Sequence, residues 1–143
     1  MSVHPKAAHN AYRTTAVQTA SQSRLIAMLF EGAAKFMHIF IDATQNKKIE
    51  IAHLNSIKAQ RIITELIVAL DHNKGGDVSR VIQAAYEDIR NRMAMSNIKK
   101  DVEMAQKVIE DLGDFKRTWE QVFKSVSIDQ PMPPEHSGVS IKT

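Results

Sequence analysis

Glu50 and His53 are spaced as metal ligands are. In a helix, a carboxylate and an imidazole three positions apart leave the same face, and di-iron helical bundles use that pair. Such a centre also needs a second Glu-x-x-His and two more glutamates on facing helices. No other Glu-x-x-His occurs in the chain. Glu50 and His53 therefore read as a surface pair that flanks an apolar seam. Gly75-Gly76 lacks the lysine and the helix context of a phosphate-binding loop and reads as a helix break. The serines, histidines and acids include no nucleophile-elbow setting. The chain has no cysteine, which excludes disulfides, Cys-bearing zinc sites and thiol nucleophiles. The chemistry points away from an enzyme, and neither a cofactor nor a metal is expected.

The elements carry the stronger signal. The chain has 143 residues, 43% hydrophobic and 24% charged, which suits one domain with one core. Helix 1 is expected from about 22 to 44, capped by Ser21 and about 35 Å long. Helix 2 is expected from about 47 to 71, with Asn46 as its cap and Asn73, Gly75 and Gly76 as its stop. Helix 3 begins near Asp77, itself a good cap, and ends near Asn97. Helix 4 runs from Lys99–Asp101 to about Ser125. Gly113 inside it costs roughly 1 kcal/mol relative to alanine and marks either a close contact or bend, or simple tolerance.

Apolar periodicity supports these assignments. Helix 2 places Ile49, Ala52, Ser56, Ala59, Ile63, Leu66 and Leu70 three and four apart, as a bundle seam does. Helix 3 aligns Val78, Val81, Ile82, Ala85, Ile89 and Met93. Helix 4 aligns Val102, Ala105, Ile109, Leu112, Phe115, Trp119, Val122 and Phe123. Short links between long helices force antiparallel neighbours. The expected fold is all-α, an antiparallel up-down-up-down four-helix bundle over 21–126. An N-terminal segment, 1–20, packs on it. A flexible tail, 127–143, holds Pro131, Pro133, Pro134 and Gly138.

Helix 1 differs from the others. Arg24, Glu31, Lys35, His38 and Asp42 form one narrow polar stripe, and nearly everything else is apolar or small. A bundle helix needs an apolar face only somewhat wider than ~100°. Helix 1 is then either the most enclosed helix, or it keeps a second interface for a partner, as large exposed apolar patches do. Both hold together if the N-terminal segment covers a groove until a partner displaces it.

The formal net charge is +3, which raises the alternative of a basic helical nucleic-acid-binding domain. The lysine pairs 47–48 and 99–100 and the pair Lys116-Arg117 are scattered among acids, however, as on a solvated mixed-charge surface. No long apolar N-terminal run and no stretch of ~20 apolar residues is present. Neither a secretory leader nor membrane insertion is expected, and the expected location is the cytoplasm.

Asn10-Ala11-Tyr12, Val17 to Ser21, Leu25 to Ala33 (LIAMLFEGA) and Lys58 to Ile63 (KAQRII) occur in this order, and Leu70-Asp71, Gly75-Gly76, Tyr86, Asn97 to Asp101 and Thr118-Trp119 follow. In this order and spacing the segments resemble the FliS family of flagellar export chaperones. The resemblance covers about 9 to 126. The chain departs from the family pattern at Gln22, where a proline is usual, and at Asp88, where an aromatic is common. The resemblance implies a four-helix bundle with its N-terminal segment packed over it. It further implies a chaperone that binds the disordered C-terminal region of flagellin, prevents premature polymerisation and presents it to the export gate of the flagellar type III system. On this reading Tyr12 and Val17 are a removable cover, and Leu25, Ile26, Leu29, Phe30 and Ile63 are groove candidates. The same groove predicts a homodimer when no partner is bound.

Overall fold

The computed structural model describes residues 5–70 and 72–129, with side chains for 23–70, 76–122 and Lys124. Four helices follow one another: α1 Pro5–Gln45, α2 Ile49–Val68, α3 His72–Lys99 and α4 Val102–Asp129. Each packs against the next in the chain, and α4 returns to α1. The ring closes with α1 and α3 on the diagonal. Links of two or three residues leave no room for crossovers, so neighbours are antiparallel. This is the expected up-down bundle.

α1 starts earlier than its Ser21 cap predicts. Pro5 is tolerated in a first turn because its missing amide hydrogen has no partner there. No glycine or proline interrupts 6–22, so the backbone helix runs on for 41 residues. α4 likewise reaches Asp129, three residues into the segment expected to be tail. The N-terminal cover formed by residues 1–20 and the flexibility of 130–143 lie outside the described side chains and residues.

The helix ends show how the chain reverses. Lys47 takes φ 60°. The Lys48 amide donates to the Ala43 carbonyl at 2.7 Å and the Lys47 amide to Thr44 at 3.1 Å, which is a Schellman ending with lysine where glycine is usual. Asn46 belongs to this ending: its side-chain amide donates to the Asp42 carbonyl at 2.8 Å. α2 instead starts after Lys48 without a side-chain cap. α3 ends the same way. Lys100 has φ 52°, and the Asp101 amide donates to Ser96 at 2.8 Å. The Asp101 carboxylate then accepts the Met104 amide at 3.0 Å and caps α4. Gly76, the expected break, has φ 55° and ψ −129° and kinks α3, a conformation that only glycine adopts cheaply.

The core is filled by Phe30, Met37, Phe40, Ile63, Ile89, Met93, Val108 and Leu112, interleaved with Ala33, Ala52, Ala59 and Ala105. Alanines let the helices approach, and the large side chains fill the space between them. Phe30 of α1 meets Tyr86 of α3 across the diagonal at 6.0 Å, and Phe115 of α4 packs edge-on to Tyr86 at 5.6 Å. Edge-to-face pairs of this kind stabilise beyond their buried area. Ser56 donates from its buried hydroxyl to the Met93 carbonyl at 3.4 Å, tying α2 to α3.

The seam of α2 is buried as expected from Ala52 to Leu66. Four positions read as core stand exposed instead: Ile49, Val78, Val81 and Val122. Ile49 opens α2, Val78 and Val81 follow the Gly76 kink of α3, and Val122 lies two turns before the end of α4. Phe123 lies outside the described side chains.

Two substitutions test the backbone, one inside α4 and one at the end of α1. A Cβ at Gly113 would meet only the Arg117 guanidinium, at 3.5 Å, so no close helix contact explains the glycine. Gly113→Ala should stabilise the fold by about 0.5–1 kcal/mol in urea unfolding, with an unchanged slope. Lys47→Gly relieves a left-handed side chain and should add about 0.5–1 kcal/mol by the same measurement. The core supplies a third prediction. Burial pushes the Tyr86 phenol up to about 12 from its ordinary 10.0. The neutral form is favoured in the fold, so the contribution of Tyr86 is complete below pH 10.0 and declines towards about 12. Tyr86→Phe should flatten the loss of stability above pH 10.0, measured by thermal melts across that range.

Candidate functional site

The site is built on the first described turns of α1. Arg24, Glu31, Lys35, His38 and Asp42 all face solvent, as their stripe predicts, while Ala27, Phe30, Ala33, Met37 and Phe40 face the core. The columns between decide the outcome. Towards Gln45 they are covered: Lys58 of α2 lies over the Phe36 ring at 5.5 Å, and Gly32 lets the Ile62 side chain approach. Towards Ser23 they are not. Leu25 is 53% exposed and Met28 50% exposed, and Ile26 and Leu29 are half-buried beside them. The apolar surplus of helix 1 is thus concentrated at one end of the bundle.

Two contacts hold that end against α4. The Trp119 indole donates to the Ser23 carbonyl at 3.2 Å. Lys116 pairs with Glu31 at 2.6 Å. With α1 fixed by these contacts on one flank and by α2 on the other, the strip from Leu25 to Leu29 remains open. Val68 at the end of α2, Val78 and Val81 at the start of α3, and Val122 on α4 are exposed at the same end. The loop end also shows exposed apolar side chains, Ile49, Ile51, Leu54, Met95 and Ile98. It holds a shallow hollow lined by residues 48–51.

The groove candidates divide by depth. Leu25 is at the surface, and Ile26 and Leu29 form a half-buried shoulder. Phe30 and Ile63 are fully enclosed in the core beneath. Tyr12 and Val17 lie outside the described side chains. Met28 and Val68 were not singled out by periodicity. Met28 follows Leu25 by one turn on the same side, so its spacing could have flagged it. The exposure of Val68 depends on where α3 begins, and no local pattern encodes that.

Glu50 and His53 both lie at the surface, and His53 is engaged by α3. His53 Nδ1 accepts from the Asn97 side-chain amide at 2.8 Å, and the Asn97 oxygen accepts from Lys100 Nζ at 2.5 Å. Among the described residues no group of three His, Asp or Glu side chains could hold a metal ion. The cations Arg80, Arg92, Lys107, Lys116 and Arg117 all pair with acids, as on a mixed-charge surface. Among the described residues no helix is long and apolar enough to cross a membrane.

The ion pair at this end gives an acid-side prediction. The hydrogen bond from Lys116 holds the Glu31 carboxyl below its ordinary 4.5. A lowered carboxylate stabilises the fold above its ordinary value, and that contribution is lost as pH falls through the lowered one. Glu31→Gln should therefore flatten the decline of the melting temperature below pH 4.5, with little change at neutral pH because the pair is solvent-screened.

Comparison with known proteins agrees with this architecture. The family described as Flagellar protein FliS matches residues 5–126. The Flagellar secretion chaperone FliS of Bacillus subtilis (strain 168) is 34% identical over 122 residues, covering 85% of this chain and 90% of that protein. The protein of the same name from Campylobacter jejuni is 27% identical, covering 86% of this chain and 96% of its own length. The one from Vibrio cholerae is 27% identical and covers 91% of each. These relatives are named as chaperones, not as enzymes. This all-helical chain, matched over residues 5–126, belongs to the FliS family of flagellar secretion chaperones.

Proposed function

We propose that this chain works in the bacterial cytosol as the export chaperone of flagellin. It binds the disordered C-terminal region of flagellin, prevents premature polymerisation and presents its client to a component of the flagellar export gate. The observation that carries this reading is the open apolar strip of α1. Leu25 and Met28 are exposed there, beside half-buried Ile26 and Leu29, on a helix pinned in place by Trp119 and Lys116. A segment with apolar residues at i, i+3, i+4 and i+7 forms a helix that fits such a strip. The client orders itself on binding, so it must bury a large area to reach useful affinity.

In this mechanism Leu25, Ile26 and Leu29 touch the client. Phe30 and Ile63 are the floor that keeps the strip straight, and Tyr12 and Val17 are the cover that the client displaces. An uncovered strip also joins two copies, so the free protein is a homodimer that gives way to a one-to-one complex. Light scattering with and without a flagellin C-terminal peptide reads that change.

Calorimetry with the same peptide tests the reading directly. The wild-type chain should bind at or below tens of micromolar, with little salt dependence. Leu25→Asp should weaken binding at least about tenfold, or ~1.4 kcal/mol, while leaving the fold intact because the site is half-exposed. Phe30→Ala should instead lower stability by about 3–5 kcal/mol. An absence of binding in a cognate pair would remove the proposal. Retention on nucleic acid that falls steeply with salt would favour the basic-domain alternative.

A further inference from the structure

The seam between α1 and α2 is apolar at both ends and cationic at its waist. Two contacts fix its register. A Cβ on Gly32 would meet the Ile62 side chain at 3.5 Å, and the Lys58 ammonium lies over the Phe36 ring at 5.5 Å. Continued one turn, this antiparallel register sets Leu54 beside Ile39 and Phe40. Leu54 is 52% exposed, and Ile51, seven residues before Lys58 on the same side of α2, is 46% exposed. At the other end lie exposed Leu25 and Met28. From Met28 to the level of Leu54 is twelve residues of α1, or about 18 Å. Lys35 follows Met28 by seven residues, so it stands with Lys58 at the waist, and both are exposed. The other ammonium and guanidinium groups named above pair with acids. Among the described residues no carboxylate pairs with Lys35 or Lys58.

We infer that this seam takes an amphipathic helix with a carboxylate at its middle, which draws Lys58 off Phe36. The partner's apolar ends rest on Leu25 and Met28 at one side and on Leu54 and Ile51 at the other. Its carboxylate accepts from Lys58 and Lys35 between them. The partner excludes water as it docks, so a charge-assisted bond there outweighs the exposed contact of Lys58 with a ring. Glu65, two turns from Lys58 on the same side of α2, is exposed. It repels an acid placed level with Leu29, so the charges set the register of the partner as well as its sign. The chain's own N-terminal segment cannot compete on these terms. Residues 1–22 contain no Asp or Glu and carry Lys6 and Arg13. The inference rests on the chaperone reading for the identity of the partner and adds the charge that the site selects.

Calorimetry of the full chain with two synthetic amphipathic peptides tests this, each about 18 residues long so that a helix spans the seam. They share one leucine face and differ only at the two central positions that flank it, glutamate in one and lysine in the other. The glutamate peptide should bind at least about fivefold tighter. Lys58→Glu should erase that preference, and Lys35→Glu combined with Lys58→Glu should reverse it, all at unchanged far-UV circular dichroism because both sites are exposed. Equal affinities for the wild-type chain, no binding of either peptide, or a preference that survives in the double variant overturns the inference. A dimer of the free chain that Lys58→Glu breaks also overturns it, since a second copy is then the occupant. A flagellin C-terminal peptide run alongside separates the two readings. If it binds while the synthetic pair shows no preference, the chaperone reading stands and the charge assignment falls. If it fails to bind while the preference is seen, the charge assignment stands and the client is another acidic helix.

Discussion

In a ring of four helices each member has two flanking neighbours, and this limit governs α1. Its polar side chains occupy one narrow stripe, so two neighbours must shield almost all of the remaining circumference. From Phe30 to Ile41 they succeed, with α2 supplying Ile62 and the stem of Lys58 and α4 supplying the opposite wall. Before Phe30 they do not. The bundle consequently carries its unshielded apolar surface on a helix that cannot rotate to hide it, because Trp119 and Lys116 hold its backbone and side chains in register with α4.

The two ends of the bundle are built differently. At the loop end, both reversals are Schellman endings with a left-handed lysine. Two directional bonds cross from α2 to α3 there, Ser56 to the Met93 carbonyl and Asn97 to His53, and Lys100 donates to the Asn97 oxygen. The Ser56 bond is buried and the Asn97 bonds partly so, and defined partners of this kind favour one register of α2 against α3. Towards the other end the aromatic group of Phe30, Tyr86 and Phe115 joins α1, α3 and α4. Beyond it Ala27, Leu66 and Ser79 stay buried, while Leu25, Met28, Val78, Val81 and Val122 are exposed.

Membership of the FliS family fits this construction. A chaperone that holds and then releases a client needs apolar surface that is accessible but limited in area, and a scaffold that stays folded when that surface is empty. The core cluster from Phe30 to Leu112 includes neither Leu25 nor Met28, while Ile26 and Leu29 pack against it.

Local sequence determined the elements. Three- and four-residue spacing on α2, glycine at position 76 and short links between long helices specify an antiparallel four-helix bundle, because helical periodicity and chain reversal are properties of a few neighbouring residues. Local sequence also marked α1 as too apolar for its place. Tertiary structure decided the rest. Phe30 and Ile63 proved to be floor, Leu25 and Met28 rim, and Val78, Val81 and Val122 surface, although all share the same periodic pattern. Exposure in a bundle depends on where the facing helix stops and how far two axes diverge. Those are relations between residues tens of positions apart, such as Arg92 with Asp111 and Ser23 with Trp119, and no single helix encodes them.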